Sequence, residues 1–288
     1  MYRCWPEDDE PNPHLAASYE AVKPDALRVH REFKKSHEGG VSRVKFHPKS
    51  ALISVGDDHV WRMWSLSSMG ELIIAGTGHS DFVSGIDIHP KKENIVVTSC
   101  GDGKCKIWDI SQEKCTHTIS DHAQTAWNVA FHDSGDFFAT CSEDGRARIY
   151  DFNALSSGRM ETCRTVLRGH TDGINYVSFQ AFSHVVVTAS QDKTVSLWDM
   201  RNGECTSTLY GHTGSVNHAT FALQGHLLAT ADLNGAVKLW DPRNLKEQLN
   251  VSVGAHAANA CAFDRSGKIL AIACGDGTLK LIDVRFFS

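Results

Sequence analysis

Two kinds of segment are absent from this sequence of 288 residues. No apolar run approaches the roughly 20 residues that a membrane-spanning helix needs. The opening residues, MYRCWPEDDE, also lack the apolar core of a secretory signal peptide. We therefore expect a protein of the cytoplasm that has no membrane partner.

Clustered basic charge is also scarce. The net charge is −5 and the lysines and arginines are scattered along the chain. The pairs Lys34–Lys35 and Lys91–Lys92 are too short to form a stripe that binds phosphates. The sequence therefore argues against nucleic acid as a partner.

Paired cysteine motifs are missing although the chain has nine cysteines. There is no CxxC, and the nearest spacing, from Cys100 to Cys105, leaves four residues between the two thiols. We expect buried, reduced thiols rather than metal or redox sites. No motif of the sequence indicates a cofactor or a small-molecule substrate either.

A repeated phrase dominates what is present. Residues 211–242 read GHTGSVNHATFALQGHLLATADLNGAVKLWDP, and related phrases begin at Gly78 and Gly169. Between the opening Gly-His and the closing Trp-Asp lie three short runs, rich in β-branched and aromatic residues, that predict strands. A unit of this kind, about 40–45 residues long, is the signature of the WD repeat. The chain resembles the WD-repeat β-propeller family, which implies an all-β fold of four-stranded antiparallel blades.

Six repeats can be counted from the residues that close them. These are Trp64, Trp108, Tyr150, Trp198, Trp240 and Ile282. We expect residues 26–288 to form the propeller and the acidic, proline-containing residues 1–25 to be a flexible leader. The stretch NALSSGRMET, residues 153–162, lengthens one interval and is predicted to be a polar loop between blades three and four.

The sequence allows two architectures that differ in the number of blades. Six blades could close if ALRVHREFKK, residues 26–35, supplied the outer strand of the last blade, as the resemblance implies. The other architecture, which we favour slightly, is a seven-blade geometry whose last blade is missing. It would leave apolar faces of the first and last blades exposed.

Histidine, serine or threonine, aspartate and tryptophan recur in each unit at nearly fixed spacing. The aspartate lies six residues before the closing tryptophan, and the hydroxyl residue lies four before that aspartate. The family joins such residues by hydrogen bonds from tryptophan to hydroxyl to histidine to aspartate, and the resemblance implies the same here. The structural sets are His37, Ser54, Asp58 and Trp64; His79, Thr98, Asp102 and Trp108; His122, Thr140, Asp144 and Tyr150; His170, Thr188, Asp192 and Trp198; and His212, Thr230 and Trp240.

Because these sets repeat, they are better explained as structural networks than as catalytic triads, and we predict no catalytic residue. In the fifth repeat Asn234 stands at the aspartate position. The sixth repeat keeps His256 and Asp276 but has Ile272 in place of the hydroxyl residue and Ile282 in place of tryptophan. The sixth blade should therefore be the least rigid.

Partner contacts are expected on the face that carries the loops before the first strand of each blade. The residues predicted there are Arg43, Phe82, Trp127, Tyr176, His218, Asn175, Asn217 and Asn259, with Asp57, Glu143 and Gln191 from neighbouring turns. Aromatic residues with a polar rim are typical of interaction hot spots. A purely structural role, such as Trp127 packing against the next blade, is the competing interpretation.

Four phrases carry a narrower resemblance: SVGDDHVWRMWSL, GTGHSDFVSGIDIHP, LYGHTGSVNHATFALQGHLLATADLNGAVKLWDPRNL and GKILAIACGDGTLKLIDV. They are similar to the C-terminal propeller of the sperm-associated antigen 16 family. That resemblance implies a non-enzymatic scaffold of the central apparatus of the axoneme, located in the cytoskeleton of cilia or flagella, with axonemal microtubule-associated proteins as partners. The alternatives are a cytosolic adaptor, such as a substrate receptor of a ubiquitin ligase or a signalling scaffold, and, more remotely, a propeller hydrolase.

Overall fold

The computed structural model describes residue 33 and residues 36–67, 70–157 and 163–285. They fold into antiparallel sheets, one per repeat, and the six sheets are propeller blades. The predicted leader lies outside the described residues. So does the predicted edge strand at 26–35, apart from Phe33, whose ring lies 5.7 Å from that of Trp64.

Three blades of four strands each precede residue 167. Blade 1 contains β1 (Val41–His47), β2 (Ala51–Gly56), β3 (Trp61–Ser65) and β4 (Leu72–Gly76). Blade 2 contains β5 (Val83–Ile88), β6 (Ile95–Cys100), β7 (Cys105–Asp109) and β8 (Lys114–Ile119). Blade 3 contains β9 (Ala126–Phe131), β10 (Phe137–Ser142), β11 (Arg146–Asp151) and β12 (Cys163–Arg168).

A second compact unit begins at Leu167, so the boundary between the units falls within β12. Blade 4 contains β13 (Ile174–Phe179), β14 (Val185–Ser190), β15 (Val195–Asp199) and β16 (Cys205–Leu209). Blade 5 contains β17 (Val216–Phe221), β18 (Leu228–Asp232), β19 (Ala236–Asp241) and β20 (Lys246–Ser252). Blade 6 has three strands in the described residues, β21 (Ala258–Phe263), β22 (Ile269–Cys274) and β23 (Leu279–Asp283).

Tight turns connect the second and third strands of the blades. Gly103 takes φ = 76° in the turn between β6 and β7, a conformation that favours glycine. A Cβ atom there would lie 2.8 Å from the carbonyl oxygen of Gln124. This turn therefore accepts only glycine without a shift of the neighbouring loop.

Apolar side chains fill the space between successive blades of the same unit. In the first unit, Val55 and Trp61 of blade 1 pack in one cluster with Ile86 and Trp108 of blade 2. Every residue of β5 is buried, because β1 and β9 both pack against it. In contrast to β5, strand β1 has exposed apolar side chains, with Val44 and Phe46 56% and 73% exposed. In blade 6 of the second unit, Leu279 is 63% exposed.

The structure corrects the prediction for residues 153–162. The segment begins inside blade 3, between β11 and β12, and not between blades three and four. Its first residues belong to a short helix, α1 (Phe152–Ser156), because the Asp151 carboxylate accepts a hydrogen bond from the Ala154 amide at 2.9 Å. Phe152 and Leu155 are buried in the core shared by blades 2 and 3. Residues 158–162 lie outside the described part.

α1 is five residues long, and within the described residues no helix has the length and apolar character needed to cross a bilayer.

Candidate functional site

Blade 4 contains a complete hydrogen-bonded network. The Nδ1 of His170 lies 2.8 Å from the Asp192 carboxylate, and its Nε2 lies 2.7 Å from the Thr188 hydroxyl. The indole nitrogen of Trp198 donates to the same hydroxyl at 2.8 Å. A carboxylate only accepts, so in the neutral imidazole of His170 Nδ1 donates to Asp192 and Nε2 accepts the hydrogen bond from the Thr188 hydroxyl. The four predicted residues thus satisfy one another.

Blade 1 has the same network and an additional cation. His37 lies 2.7 Å from both Asp58 and Ser54, and Trp64 donates to Ser54 at 2.8 Å. Arg62, which sequence reasoning missed, forms an ion pair with Asp58. Burial opposes ionisation of Asp58, but hydrogen bonds from His37 and Arg62 outweigh it and lower the pKa of this carboxyl to about 2.

Blade 3 keeps the first links and loses the last. His122 lies 2.7 Å from Thr140 and 3.1 Å from Asp144, which also pairs with Arg148 at 3.0 Å. The hydroxyl of Tyr150 is buried and has no hydrogen-bond partner among the described residues. Its ring instead stacks on Phe138, with centroids 5.0 Å apart. Tyr150 therefore stands at the tryptophan position of the set, and its hydroxyl has no partner of ordinary hydrogen-bond geometry among the described residues.

Blade 5 uses a different acid from the one its spacing suggests. His212 lies 2.7 Å from Thr230, to which Trp240 donates at 2.8 Å. The other ring nitrogen of His212 lies 2.9 Å from Asp232, two residues before the expected position. Asn234, at that position, donates to Thr213 instead. The aspartate in the sequence ADLN was the signal that sequence reasoning overlooked.

Blade 2 breaks the network between histidine and acid. His79 lies 2.6 Å from Thr98, and Trp108 donates to Thr98 at 2.8 Å. The Asp102 carboxylate accepts from the hydroxyl of Ser80 at 2.5 Å, and the Nδ1 of His79 has no hydrogen-bond partner within the described part of the chain. Burial lowers the pKa of His79 to about 4. The predicted link from His79 to Asp102 is therefore wrong.

Blade 6 has no such network. His256 and Asp276 are both exposed, while Ile272 is fully buried and Ile282 is half-buried. Two isoleucines cannot replace the hydroxyl and indole that hold a histidine in the other blades.

The buried position of the hydroxyl groups argues against nucleophilic catalysis. Thr98, Thr140, Thr188 and Thr230 are all 0% exposed. In blades 2, 4 and 5 each hydroxyl also accepts a hydrogen bond from the indole N–H of a tryptophan. A nucleophile must reach its substrate, and these oxygens are covered and already bonded. In blades 4 and 5 these hydrogen bonds join the loop before the first strand to the second and third strands.

Two of the predicted partner-binding residues meet in the first unit. The rings of Phe82 and Trp127 are 5.8 Å apart, and both residues are half-buried. The indole nitrogen of Trp127 donates to the Glu143 carboxylate at 2.6 Å. Gly101 permits this packing, because a Cβ atom there would lie 2.5 Å from the Phe82 ring. We call Phe82, Trp127 and Glu143 the aromatic cluster.

The other candidates have structural contacts of their own. The rings of Tyr176 and His218 are in contact, with centroids 3.8 Å apart and planes tilted by 36°, and His218 is buried. Asn175 donates to the carbonyl of Val216 at 2.9 Å, and Asn217 donates to the carbonyl of Ala258 at 3.2 Å, so each links neighbouring blades. Arg43 likewise donates to the carbonyl of Ser84 at 3.2 Å, whereas Asn259 is exposed.

The cysteines are more varied than expected. All eight cysteines in the described residues are free thiols, and five of them are buried. Cys115 and Cys163 are half-buried, and Cys205 is exposed, so the expectation of buried thiols is wrong for the outer strands. Cys115, Cys163 and Cys205 lie in β8, β12 and β16, which are the fourth strands of blades 2, 3 and 4.

Comparison with known proteins gives relatives of diverse kinds. The chain is 29% identical over 192 residues to pre-mRNA-processing factor 19 of Oryza sativa subsp. japonica, which is 66% of this chain and 36% of the relative. It is 32% identical over 139 residues to WD repeat-containing protein 1 of Bos taurus, covering 48% of this chain and 22% of the relative. It is 29% identical over 182 residues to a guanine nucleotide-binding protein subunit beta of Zea mays, covering 59% and 47%. The chain thus spans less than half the length of each of these relatives.

A family model described as "WD domain, G-beta repeat" matches six segments, which are residues 28–65, 70–109, 113–151, 161–199, 203–241 and 247–283. Each segment between the first and the last begins with the outer strand of one blade and ends with the third strand of the next. These matches cover most of the chain and agree with the six blades, and the chain therefore belongs to the WD-repeat family.

Proposed function

We propose that this chain is a non-enzymatic scaffold that binds other proteins through the aromatic cluster. The observation that carries the proposal is the pair of half-buried rings of Phe82 and Trp127, held next to the Glu143 carboxylate. Aromatic side chains fixed in position bury a large area on binding and lose little conformational freedom. The carboxylate favours a partner segment that presents a lysine or arginine beside an apolar side chain.

The binding proposal is tested by single substitutions in the aromatic cluster. We expect Phe82→Ala and Trp127→Ala each to weaken binding of proteins captured from an extract of ciliated cells by at least about tenfold, as is typical of hot-spot residues. Tyr210→Ala is the matched control, because Tyr210 is an exposed aromatic residue of the other unit. Affinities would be measured on purified partners after thermal melting has shown that each variant is folded. Equal binding by the wild type and both cluster variants would refute this surface.

The narrower proposal is a place in the central apparatus of the axoneme, where the chain would support assembly or motility of cilia or flagella. It rests on the sequence phrases that resemble the sperm-associated antigen 16 family; none of the relatives reported above carries that name. The relatives carry names as different as a pre-mRNA-processing factor and a G-protein subunit, which also supports a general adaptor. Recovery of the chain with salt-resistant microtubule bundles would favour the axonemal role. Recovery in a soluble complex that Trp127→Ala dissolves would favour the adaptor.

A further inference from the structure

Three metal-ligating side chains meet at the site where the network of blade 2 is broken. One nitrogen, sulfur or oxygen atom from each of His79, Cys100 and Asp102 lies within 4.8 Å of the others. Cys100 ends β6, Asp102 lies in the following turn, and His79 lies in the loop before β5. Among the described residues this is the one group of three or more such side chains close enough to hold a metal ion.

A second observation points to a ligand at this group. His79 is 92% buried, its Nε2 is bonded to Thr98, and its Nδ1 has no hydrogen-bond partner in the part of the chain that the structure describes. In blades 1, 3, 4 and 5 the equivalent nitrogen lies 2.7–3.1 Å from a carboxylate. A buried polar atom without a partner is costly, and a metal ion would satisfy it.

We propose that His79, Cys100 and Asp102 bind a zinc ion through the imidazole Nδ1, the thiolate sulfur and a carboxylate oxygen, with water as the fourth ligand. A set of one nitrogen, one sulfur and one oxygen donor suits zinc, which is borderline-soft and tetrahedral. Tetrahedral ligands bonded at about 2.0–2.3 Å lie roughly 3.5 Å apart, so the three side chains have to close by about 1 Å. The neutral imidazole, the thiolate and the carboxylate balance the two positive charges of the ion.

Binding of the zinc ion would replace contacts that the Cys100 thiol and the Asp102 carboxylate now make. The Cys100 thiol now donates to the carbonyl of Asp81 at 3.3 Å, and on coordination it releases its proton to solvent. The Asp102 carboxylate pairs with Lys104 at 3.6 Å, and this ammonium group is half-exposed and can turn to water when the metal replaces it. Ser80 keeps its hydrogen bond to one carboxylate oxygen and so orients the ligand. The ion would also fix the loop that leads to Phe82.

The residues at equivalent positions of other blades show which replacements of Cys100 and Asp102 the fold accepts. Ser142 and Ser190 stand at the position of Cys100 in blades 3 and 4, and each donates to a loop carbonyl as the thiol does. Asn234 stands at the position of Asp102 in blade 5. Cys100→Ser and Asp102→Asn therefore remove a ligand while leaving residues that other blades accept. Cys274→Ser is the matched control, because Cys274 holds the same position in blade 6, where the histidine and the aspartate are exposed.

The test is a titration of the metal-free, reduced chain with Co²⁺, followed by the near-ultraviolet charge-transfer absorption of thiolate bound to cobalt. We expect this band to saturate at one Co²⁺ per chain in the wild type and in Cys274→Ser, and to disappear on addition of Zn²⁺. Cys100→Ser should lack the band. Asp102→Asn should bind at least about tenfold more weakly, since changes even outside the ligand set cost this much.

Several results would overturn the site. The wild type could lack the band, or Zn²⁺ could fail to displace it. The band could also survive in Cys100→Ser. Finally, the band could be lost in Cys205→Ser, which removes the exposed thiol instead. Circular dichroism checks the fold of each variant, and if Cys100→Ser does not fold, the affinity of Asp102→Asn decides. Wild-type affinity in that variant then counts against the proposal.

Discussion

Replacement of His170 by alanine should destabilise the protein much more than the same replacement of His256. His170 joins Thr188 and Asp192, whereas His256 is exposed and has no equivalent network. Both residues belong to the unit that begins at Leu167, so they report on the same part of the fold.

The expected loss follows from the groups that remain after His170 is removed. Asp192 keeps a hydrogen bond from the Thr194 hydroxyl at 2.6 Å, and Trp198 still donates to Thr188. The buried Thr188 hydroxyl loses its 2.7 Å hydrogen bond to the imidazole and keeps a 3.4 Å contact with the Ser196 carbonyl, and the ring leaves a cavity. We expect the free energy of unfolding to fall by about 2–3 kcal/mol in His170→Ala. For His256→Ala, an exposed site, the change should stay within about 0.5 kcal/mol.

Urea unfolding at neutral pH measures both changes, and thermal melting should show a decrease of roughly 3–6 °C in the melting temperature of His170→Ala but not of His256→Ala. The dependence of unfolding free energy on urea concentration, the m value, must first be shown to be the same in both variants. A changed m value would mean that a different amount of surface is exposed on unfolding. Equal losses for the two variants would refute the claim that the repeated histidines stabilise the blades through their networks.

Three further predictions concern single blades. In blade 5, Asp232→Ala should lower the free energy of unfolding by about 2–3 kcal/mol, because it removes the hydrogen-bond partner of the buried His212 side chain. Asn234→Ala should lower it much less. If urea unfolding showed the larger loss in Asn234→Ala, the residue six before the tryptophan would be the one that supports the histidine. In blade 3, Tyr150→Phe should be neutral or stabilising by up to about 1 kcal/mol, since the hydroxyl has no partner among the described residues; a clear loss on melting would reveal a hydrogen bond. In blade 2, burial lowers the pKa of His79 to about 4, so the unfolded chain binds more protons between pH 6.5 and 4 and stability falls as the pH falls. With chelator present, the wild type should lose about 2 kcal/mol more than His79→Gln between pH 7 and pH 5, and equal losses would contradict the buried, neutral imidazole.

The repeat made most of the fold predictable. Each Gly-His and Trp-Asp pair marks a blade, and turn residues separate its strands, so the order of the strands follows from the sequence. The helix at Phe152–Ser156 was missed because its apolar residues stand in a polar insertion too short to show a helical period.

The networks were harder to predict, because spacing fixes the strand position of a residue but not its hydrogen-bond partner. Asp232 reaches His212 from two residues before the expected place. Asp102 stands at the expected place but accepts from Ser80. Both outcomes depend on which of several nearby donors and acceptors approach each other, and that competition is settled by packing in three dimensions.

The proposed function is tested most directly by locating a tagged chain in ciliated or flagellated cells. The chain would be expressed at its natural level and its location followed through detergent extraction. We expect the wild-type chain to be retained along the extracted axoneme, with retention reduced in Trp127→Ala and preserved in Tyr210→Ala. Release of the wild-type chain into the soluble fraction would contradict the axonemal assignment, and retention unaffected by Trp127→Ala would contradict the binding surface.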